Sequence, residues 1–189
     1  MILNNENKEA SHYLSKFAHL IRITLDQSSE SLVSLRNTLE HLDRYIEMEQ
    51  IRNNQFTCAV IKDEELDIDD TMIPPMLIQP FIENALWHGV SPGNKDIDIR
   101  VDFKKEGKNL VCTVDDNGIG INQSLKDRVE SGIYHNPVGI SNIQSRIGLL
   151  NKKYNLECSI TIKDKSKLNM GGQSGTLVIL KLPLEIKEG

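Results

Sequence analysis

The residue types best suited to chemistry stand together in residues 74–89, which read PPMLIQPFIENALWHG. This otherwise apolar segment contains the carboxylate Glu83, the amide Asn84 and the imidazole His88. Asn84 and His88 are four residues apart, which places them on one face of a helix. An apolar stripe that can dock on a sheet is supplied by Phe81, Ile82, Ala85 and Leu86. This segment fits a helix whose polar side faces a ligand, and equally an ordinary amphipathic helix with exposed polar residues.

Three later segments place glycine beside a strand or a helix. Residues 114–121 (VDDNGIGI) run from an apolar strand through acidic residues into a Gly-x-Gly turn, where backbone can approach a ligand closely. Residues 137–150 (PVGISNIQSRIGLL) place glycine at the start of a helix whose first N–H groups could face an anion. Residues 171–182 (GGQSGTLVILKL) lead from a glycine-rich loop into a long apolar strand. Taken singly, each segment is also explained as a plain turn or loop.

In this order and spacing, the four segments resemble the N, G1, G2 and G3 boxes of the GHKL ATP-binding fold. That fold is shared by sensor histidine kinases, type II topoisomerases, chaperones and mismatch-repair ATPases. Residues 74–89 are most similar to the N box of sensor histidine kinases of the LytS/YesM type, and the resemblance extends over residues 10–184. It implies an α+β fold, a two-layer α/β sandwich of the GHKL (Bergerat) type preceded by a helical hairpin.

The resemblance implies that ATP and Mg²⁺ are bound by named residues. Asn84 would offer an amide oxygen to Mg²⁺, a hard cation that prefers oxygen ligands. Asp116 would accept a hydrogen bond from the exocyclic amine of adenine, where guanine presents a carbonyl oxygen. Gly118 and Gly120 would give the base and ribose room. His88 would hydrogen-bond a phosphate, or it caps the end of its helix.

The same resemblance makes residues 122–138 a mobile lid over ATP, followed by phosphate contacts. Gly139 and the N–H groups after it would receive phosphate oxygens. Asn142 and Arg146 lie one turn apart on the helix that follows, and Arg146 would reach phosphate or pair with a surface carboxylate. Thr176 would contact the adenine side, although a β-branched residue that begins a strand needs no ligand to explain it.

Two residues depart from the family pattern. Pro137 stands where a G2 glycine is common, and Trp87 stands where the N box usually carries a basic residue. Pro137 stiffens the hinge of the lid, and the charge missing at Trp87 weakens a contact with phosphate or with another domain. Both changes bear on catalytic rate rather than on nucleotide binding.

The first fifty residues predict a helical hairpin. One apolar stripe contains Tyr13, Leu14, Phe17, Leu20, Ile21 and Leu25, and a second contains Leu35, Leu39, Leu42 and Ile46. Residues 26–31 form a polar break, and Ser34 is the expected N-cap of the second helix. In the resembled family this hairpin dimerises as a four-helix bundle, so a homodimer is expected. We therefore predict a hairpin over residues 1–54 and an ATP-binding catalytic domain over residues 55–189.

The hairpin lacks the family's phosphoacceptor string, which resembles Asn-Pro-His-Phe-Leu-Phe-Asn. His12, His19 and His41 do not stand in a matching context, and helical histidines are more often packing or surface residues. The sequence thus reads as a fragment that begins downstream of the acceptor and binds ATP without phosphorylating itself.

The function that the resemblance implies is transfer of the γ-phosphoryl group to a histidine, with relay to a response regulator. Glu83 would accept the proton of the incoming histidine, or it packs the helix. One alternative is an ATP-hydrolysing conformational clamp, but Pro80 stands where those enzymes carry a water-activating glutamate. Another alternative is a degenerate module that binds a partner and no nucleotide. The departure from the family pattern at Pro137 leaves this alternative open.

Composition bears on nucleic-acid binding, membrane insertion and the role of the cysteines. The formal net charge of −5, with both signs interspersed, gives no basic footprint for nucleic acid. No apolar run is long enough for a membrane span, so we expect a cytoplasmic piece of a receptor anchored in the membrane through missing upstream segments. Cys58, Cys112 and Cys158 lie in apolar runs without metal-site spacing, which predicts reduced core thiols. Strands are predicted at residues 56–61, 97–103, 110–115, 158–163 and 175–182, with a turn at 104–109. Alternating apolar residues in the second of these strands predict a sheet with one covered and one wet face; they are Ile97, Ile99, Val101 and Phe103.

Overall fold

The computed structural model describes residues 2–53, 55–88, 96–121, 138–168 and 174–186. The chain forms two compact units, and neither is one continuous segment. Residues 1–54 and 68–76 form the helical unit, while residues 55–67 and 77–189 form the sheet unit. Residues 68–76 were predicted as part of the catalytic domain, but their contacts are with the hairpin.

The helical unit contains α1 (Ile2–Ser28) and α2 (Leu35–Arg52). Ser34 is the N-cap of α2, as predicted, because its side chain accepts a hydrogen bond from the backbone N–H of Asn37. A small antiparallel sheet, which the sequence did not reveal, pairs β1 (Val33–Ser34) with β3 (Met72–Ile73). The backbone N–H of Leu35 donates to the carbonyl of Thr71 at 2.7 Å, so β3 also holds the start of α2.

The two predicted stripes of the hairpin differ in burial. On α2, the inner face is buried and includes Leu35, Leu42, Tyr45 and Ile46. On α1, four large apolar side chains are exposed, with Leu14 and Leu25 each 64% accessible, and the others are Phe17 and Ile21. α1 thus carries more apolar surface than α2 covers.

The hairpin interior also contains polar groups. The imidazole of His41 is 2% exposed, and its Nε2 lies 3.0 Å from the Thr24 hydroxyl. Gln27 donates from its side-chain amide to the carbonyl of Asn37 at 3.1 Å. Burial lowers the pKa of His41, because the charged imidazolium loses its hydration there.

The sheet unit is built on five strands in the order β2-β4-β5-β7-β6. They are β2 (Phe56–Lys62), β4 (Ile97–Glu106), β5 (Asn109–Asp116), β6 (Ser159–Asp164) and β7 (Thr176–Pro183). The β2–β4 pair is parallel and the other pairs are antiparallel. Each strand begins within one residue of its predicted start, and the β4–β5 turn is shorter than predicted, with Gly107 in a left-handed conformation (φ 62°).

Helices form the second layer of this unit. α3 (Gln79–His88) packs against β4, β5 and α4 (Val138–Tyr154), and α4 also contacts β6. As predicted, the apolar stripe of α3 is buried, and so is the inward set of β4, which consists of Ile97, Ile99, Val101 and Phe103. The other face of β4 was expected to be wet, but Asp102 is only 8% exposed there, because Arg100 binds its carboxylate through two hydrogen bonds. The layers confirm the predicted α+β two-layer sandwich.

α4 is attached to the sheet at its carboxyl end. The Asn151 side chain donates to the carbonyl of Cys158 and accepts from its N–H, both at 2.8 Å. Cys158 and Cys112 are buried and Cys58 is half-buried. Burial raises the pKa of the Cys112 thiol far above its ordinary value.

Candidate nucleotide-binding site

A buried carboxylate lies at the end of β5. Asp116 is 8% exposed, and its Oδ1 accepts the backbone N–H groups of Gly118 at 2.9 Å and Thr176 at 3.1 Å. The predicted residues Asp116, Gly118 and Thr176 are therefore in direct contact. Both hydrogen bonds use Oδ1. No donor among the described residues is bonded to Oδ2, so this oxygen can accept a hydrogen bond from a ligand.

Close backbone packing fixes the position of this carboxylate. Gly175 has φ +125°, and a Cβ added there would lie 2.0 Å from the carbonyl oxygen of Asp116. Only glycine allows the two backbones to approach this closely. Gly120 has φ +81°, and an added Cβ would lie 3.0 Å from the carboxylate of Asp164. Gly175 lets the start of β7 pack tightly against the end of β5, and Gly120 lets the turn after β5 pack against Asp164 at the end of β6.

Asn117 joins the same turn to the start of β4. Its side-chain oxygen accepts from the N–H of Asp98 at 2.9 Å, and its side-chain nitrogen donates to the carbonyl of Asp96 at 3.1 Å. Its own N–H donates to the carbonyl of Asp98 at 3.2 Å. One local signal indicates this role, because asparagine before glycine favours turns in which its side chain bonds to nearby backbone.

A buried cation stands behind the carboxylate. Lys165 is 8% exposed, and its Nζ donates to Asp115 Oδ1 at 2.6 Å. Burial raises the pKa of Asp116, while the N–H groups of Gly118 and Thr176 and the positive charge of Lys165 act to lower it. Sequence reasoning missed Lys165, since fifty positions separate it from Asp115 and no spacing rule connects them.

α3 presents the second set of predicted residues. Within the described part of the chain, the side-chain nitrogen of Asn84 is buried and has no hydrogen-bond partner. The two ends of an amide are nearly indistinguishable in shape, so a half-turn would place Oδ1 in the same position. A buried amide without a protein partner fits an oxygen ligand for Mg²⁺.

Glu83 is oriented by another α3 side chain. The Nε2 of Gln79 donates to Glu83 Oε1 at 2.8 Å, one helical turn away. Glu83 and Asn84 are separated by about 100° around the helix. The two side chains therefore leave the helix in different directions. Sequence reasoning did not predict Gln79 as the hydrogen-bond partner of Glu83.

The phosphate-side predictions are described only in part. His88 is the last residue of α3, and Gly139 lies in the first turn of α4. Asn142 is exposed, and burial lowers the pKa of Arg146. Pro137 and nearly all of the predicted lid, residues 122–137, lie outside the described residues. The structure brings α3 and α4 into contact.

Comparison with known families agrees with this geometry. Residues 69–186 match the family model described as histidine kinase-, DNA gyrase B- and HSP90-like ATPase. The chain belongs to this family. Residues 1–56 match a second family model, described as histidine kinase. The carboxylate of Asp116 and the amide of Asn84 therefore lie in a domain of the histidine kinase-, DNA gyrase B- and HSP90-like ATPase family.

Named relatives point to sensor kinases. Sensor protein LytS of Oceanobacillus iheyensis is 31% identical over 171 residues, which cover 86% of this chain. Sensor histidine kinase YpdA of Escherichia coli is 27% identical over 75% of this chain. The chain spans 29% of the length of that LytS and 25% of YpdA. No helix among the described residues is long and apolar enough to cross a membrane.

Solved structures share the fold at low identity. The histidine kinase domain of the Erythrobacter litoralis blue-light activated kinase has a TM-score of 0.54 at 14% identity, covering 94% of this chain and 82% of that one. The catalytic domain of histidine kinase ThkA also has a TM-score of 0.54, at 15% identity, covering 81% of this chain and 94% of that one. These likenesses support the predicted GHKL fold.

Proposed function

We propose that this chain binds Mg²⁺-ATP and transfers its γ-phosphoryl group to a histidine, for relay to a response regulator. The observation that carries the proposal is the Asp116 carboxylate. Its Oδ1 is held by two backbone N–H groups, and its Oδ2 can accept from a ligand. An acceptor in this position favours the exocyclic amine of adenine and disfavours the carbonyl oxygen of guanine.

The phosphate end of the proposed site lies along α3 and α4. Asn84 holds the metal that neutralises phosphate charge, and Arg146 and His88 donate hydrogen bonds to phosphate oxygens. Glu83, oriented by Gln79, accepts the proton of the attacking histidine. Gly139 and Asn142 lie in the first turns of α4, where N–H groups point toward an anion.

The proposed partners follow from the helical unit. We assign the exposed stripe of α1 to a homodimer interface, because two such stripes can bury each other in a four-helix bundle. The response regulator is the proposed phosphoryl acceptor after histidine. The described region is proposed to act in the cytoplasm, with membrane attachment through other parts of the full-length protein.

The first test is calorimetric titration with a non-hydrolysable ATP analogue, with and without Mg²⁺. Asp116→Asn retains an oxygen for the two N–H groups but turns an amide nitrogen toward adenine. It should weaken binding about 10- to 100-fold, because two donors then face each other. Asn84→Ala should remove the dependence on Mg²⁺. Glu106→Gln, an exposed change at the end of β4, is the matched control and should bind like the wild type.

Each result has a defined meaning. No binding by the unmodified chain would refute the proposal and favour the partner-binding module. Binding followed by phosphate release without transfer, when a family hairpin carrying the acceptor histidine is supplied, would favour the ATP-hydrolysing clamp. Transfer of label to that histidine, lost in Asn84→Ala, would support the kinase.

A further inference from the structure

Lys165 is buried although its side chain carries a charge. It stands in a one-turn 3-10 helix, Lys165–Lys167, that follows β6, and its side chain is 10% exposed. Burying a lysine is costly unless the charge is paired. Its recorded partner, Asp115, is 42% exposed and is the residue immediately before the adenine-site carboxylate.

The backbone of Lys165 also bonds to a residue beside Asp116. Its N–H donates to the carbonyl of Gly175 at 2.9 Å. Its Cε lies 2.9 Å from where a Cβ of Gly175 would stand, and Gly175 precedes Thr176, which donates to Asp116. Lys165 thus contacts the end of β5 through Asp115 and, through Gly175, the residue that immediately precedes β7.

We propose that Lys165 is a positioning residue for adenine recognition, which ties β5 to β7 and places a positive charge behind Asp116. This inference rests on the proposed function, because it concerns the same base pocket. Lys165 need not touch the nucleotide. Its positive charge favours the carboxylate form of Asp116, and its contacts with Gly175 hold the N–H of Thr176 against Asp116 Oδ1.

The charges around Asp116 determine the direction in which its pKa changes when Lys165 is replaced. Burial favours the neutral acid, the cation of Lys165 favours the carboxylate, and the anion of Asp115 disfavours it. Removing the cation should raise the pKa of Asp116, so that nucleotide binding is lost first at low pH. Removing the anion of Asp115 should shift the profile in the opposite direction.

The test compares ADP and GDP binding in EDTA at pH 6 and pH 8, which examines base recognition without the metal. Lys165→Met should weaken ADP binding several-fold at pH 6 and less at pH 8, because a smaller fraction of Asp116 is then ionised at the lower pH. Lys165→Arg should restore the wild-type profile, because it keeps the charge. Lys163→Met, an exposed change two residues earlier on β6, is the matched control.

Asp115→Asn is the second variant. Its amide oxygen can still accept from Lys165, so the strands stay tied while the anion is removed. It should bind ADP at pH 6 at least as well as the wild type. Thermal melting of each variant measures whether the sheet unit is folded.

The outcomes separate the two proposals. Wild-type protein that binds neither ADP nor the ATP analogue overturns the proposed function and this inference with it. If wild-type protein binds ADP, the inference alone is overturned by a Lys165→Met variant with an unchanged profile. It is also overturned by a loss equal at both pH values that Lys165→Arg does not rescue. If Lys165→Met fails to fold, an Asp115→Asn profile shifted toward weaker binding at pH 6 overturns it.

Discussion

Gly175→Ala should damage the proposed base pocket more than an alanine at Gly107, Gly120 or Gly148. The new Cβ would lie 2.0 Å from the carbonyl oxygen of Asp116 and 2.9 Å from Lys165 Cε. Ordinary van der Waals contact begins near 3.4 Å, so β5 and β7 must separate by more than an ångström. That separation moves the Thr176 N–H away from Asp116 Oδ1.

The expected magnitude has two parts. The φ of +125° at Gly175 is a conformation that costs an L-residue about 1–3 kcal/mol. Overpacking against immobile backbone adds about 1–3 kcal/mol. We therefore expect a loss of about 2–6 kcal/mol in the free energy of unfolding of the sheet unit, together with weaker ADP binding.

Alanine substitutions at two other glycines separate the conformational strain from the steric clash. Gly107 has φ +62° with nothing within 4 Å, so Gly107→Ala carries conformational strain without a clash and should cost about 1–2 kcal/mol. Gly148 lies in α4 with open space around it, so Gly148→Ala should stabilise the helix by roughly 0.5–1 kcal/mol. The difference between Gly175→Ala and Gly107→Ala estimates the clash.

The assay is urea unfolding followed by the fluorescence of Trp87, the single tryptophan, which lies in the sheet unit. The three variants should unfold in the order Gly175→Ala, Gly107→Ala, Gly148→Ala as urea increases. A Gly175→Ala variant that is as stable as Gly107→Ala, and that binds ADP like the wild type, would show that β5 and β7 do not meet as described.

Two further predictions concern buried titratable groups. Because burial lowers the folded pKa of His41 below the ordinary histidine value of about 6.5, the unfolded chain binds the proton first, and the stability of the helical unit should fall as pH drops below that value. Helix melting by circular dichroism at pH 7.5 and 5.5 should show this loss, and the difference between the two pH values should be smaller in His41→Gln. Cys112, buried with a raised pKa, should resist a thiol reagent at pH 8 until urea unfolds the sheet, whereas Cys58, which is half-buried, should react sooner. Equal labelling rates for the two thiols in the folded protein would contradict the burial of Cys112.

Local patterns in the sequence predicted much of the fold. The alternation on β4 predicted its buried face, and Ser34 predicted the start of α2, because each signal lies within a few residues. Asp116, Gly118 and Thr176 were predicted through the family resemblance, and the structure places them in contact. Their metal and phosphate roles, and those of the α3 and α4 residues, stay predictions.

Long-range pairings could not be read in the same way. β1 and β3 are two residues each, which is too short for a periodicity signal, and they pair across about forty residues. The burial of Asp102 depends on Arg100 reaching along the strand, whereas alternation predicts exposure. No local signal in the sequence distinguishes Lys165 from an exposed lysine. Its contact with Asp115 forms only when β6 and β7 pair in the folded sheet.

The assignment of residues 68–76 to the helical unit limits how histidine kinases of this kind can be recombined. A chimera joined near residue 54 takes the hairpin from one parent and β3 from the other. The β1–β3 register, Val33 with Ile73 and Ser34 with Met72, then has to form between sequences that did not evolve together. Grafting a new hairpin onto this ATPase domain therefore requires transplanting residues 68–76 with it, as a second insert.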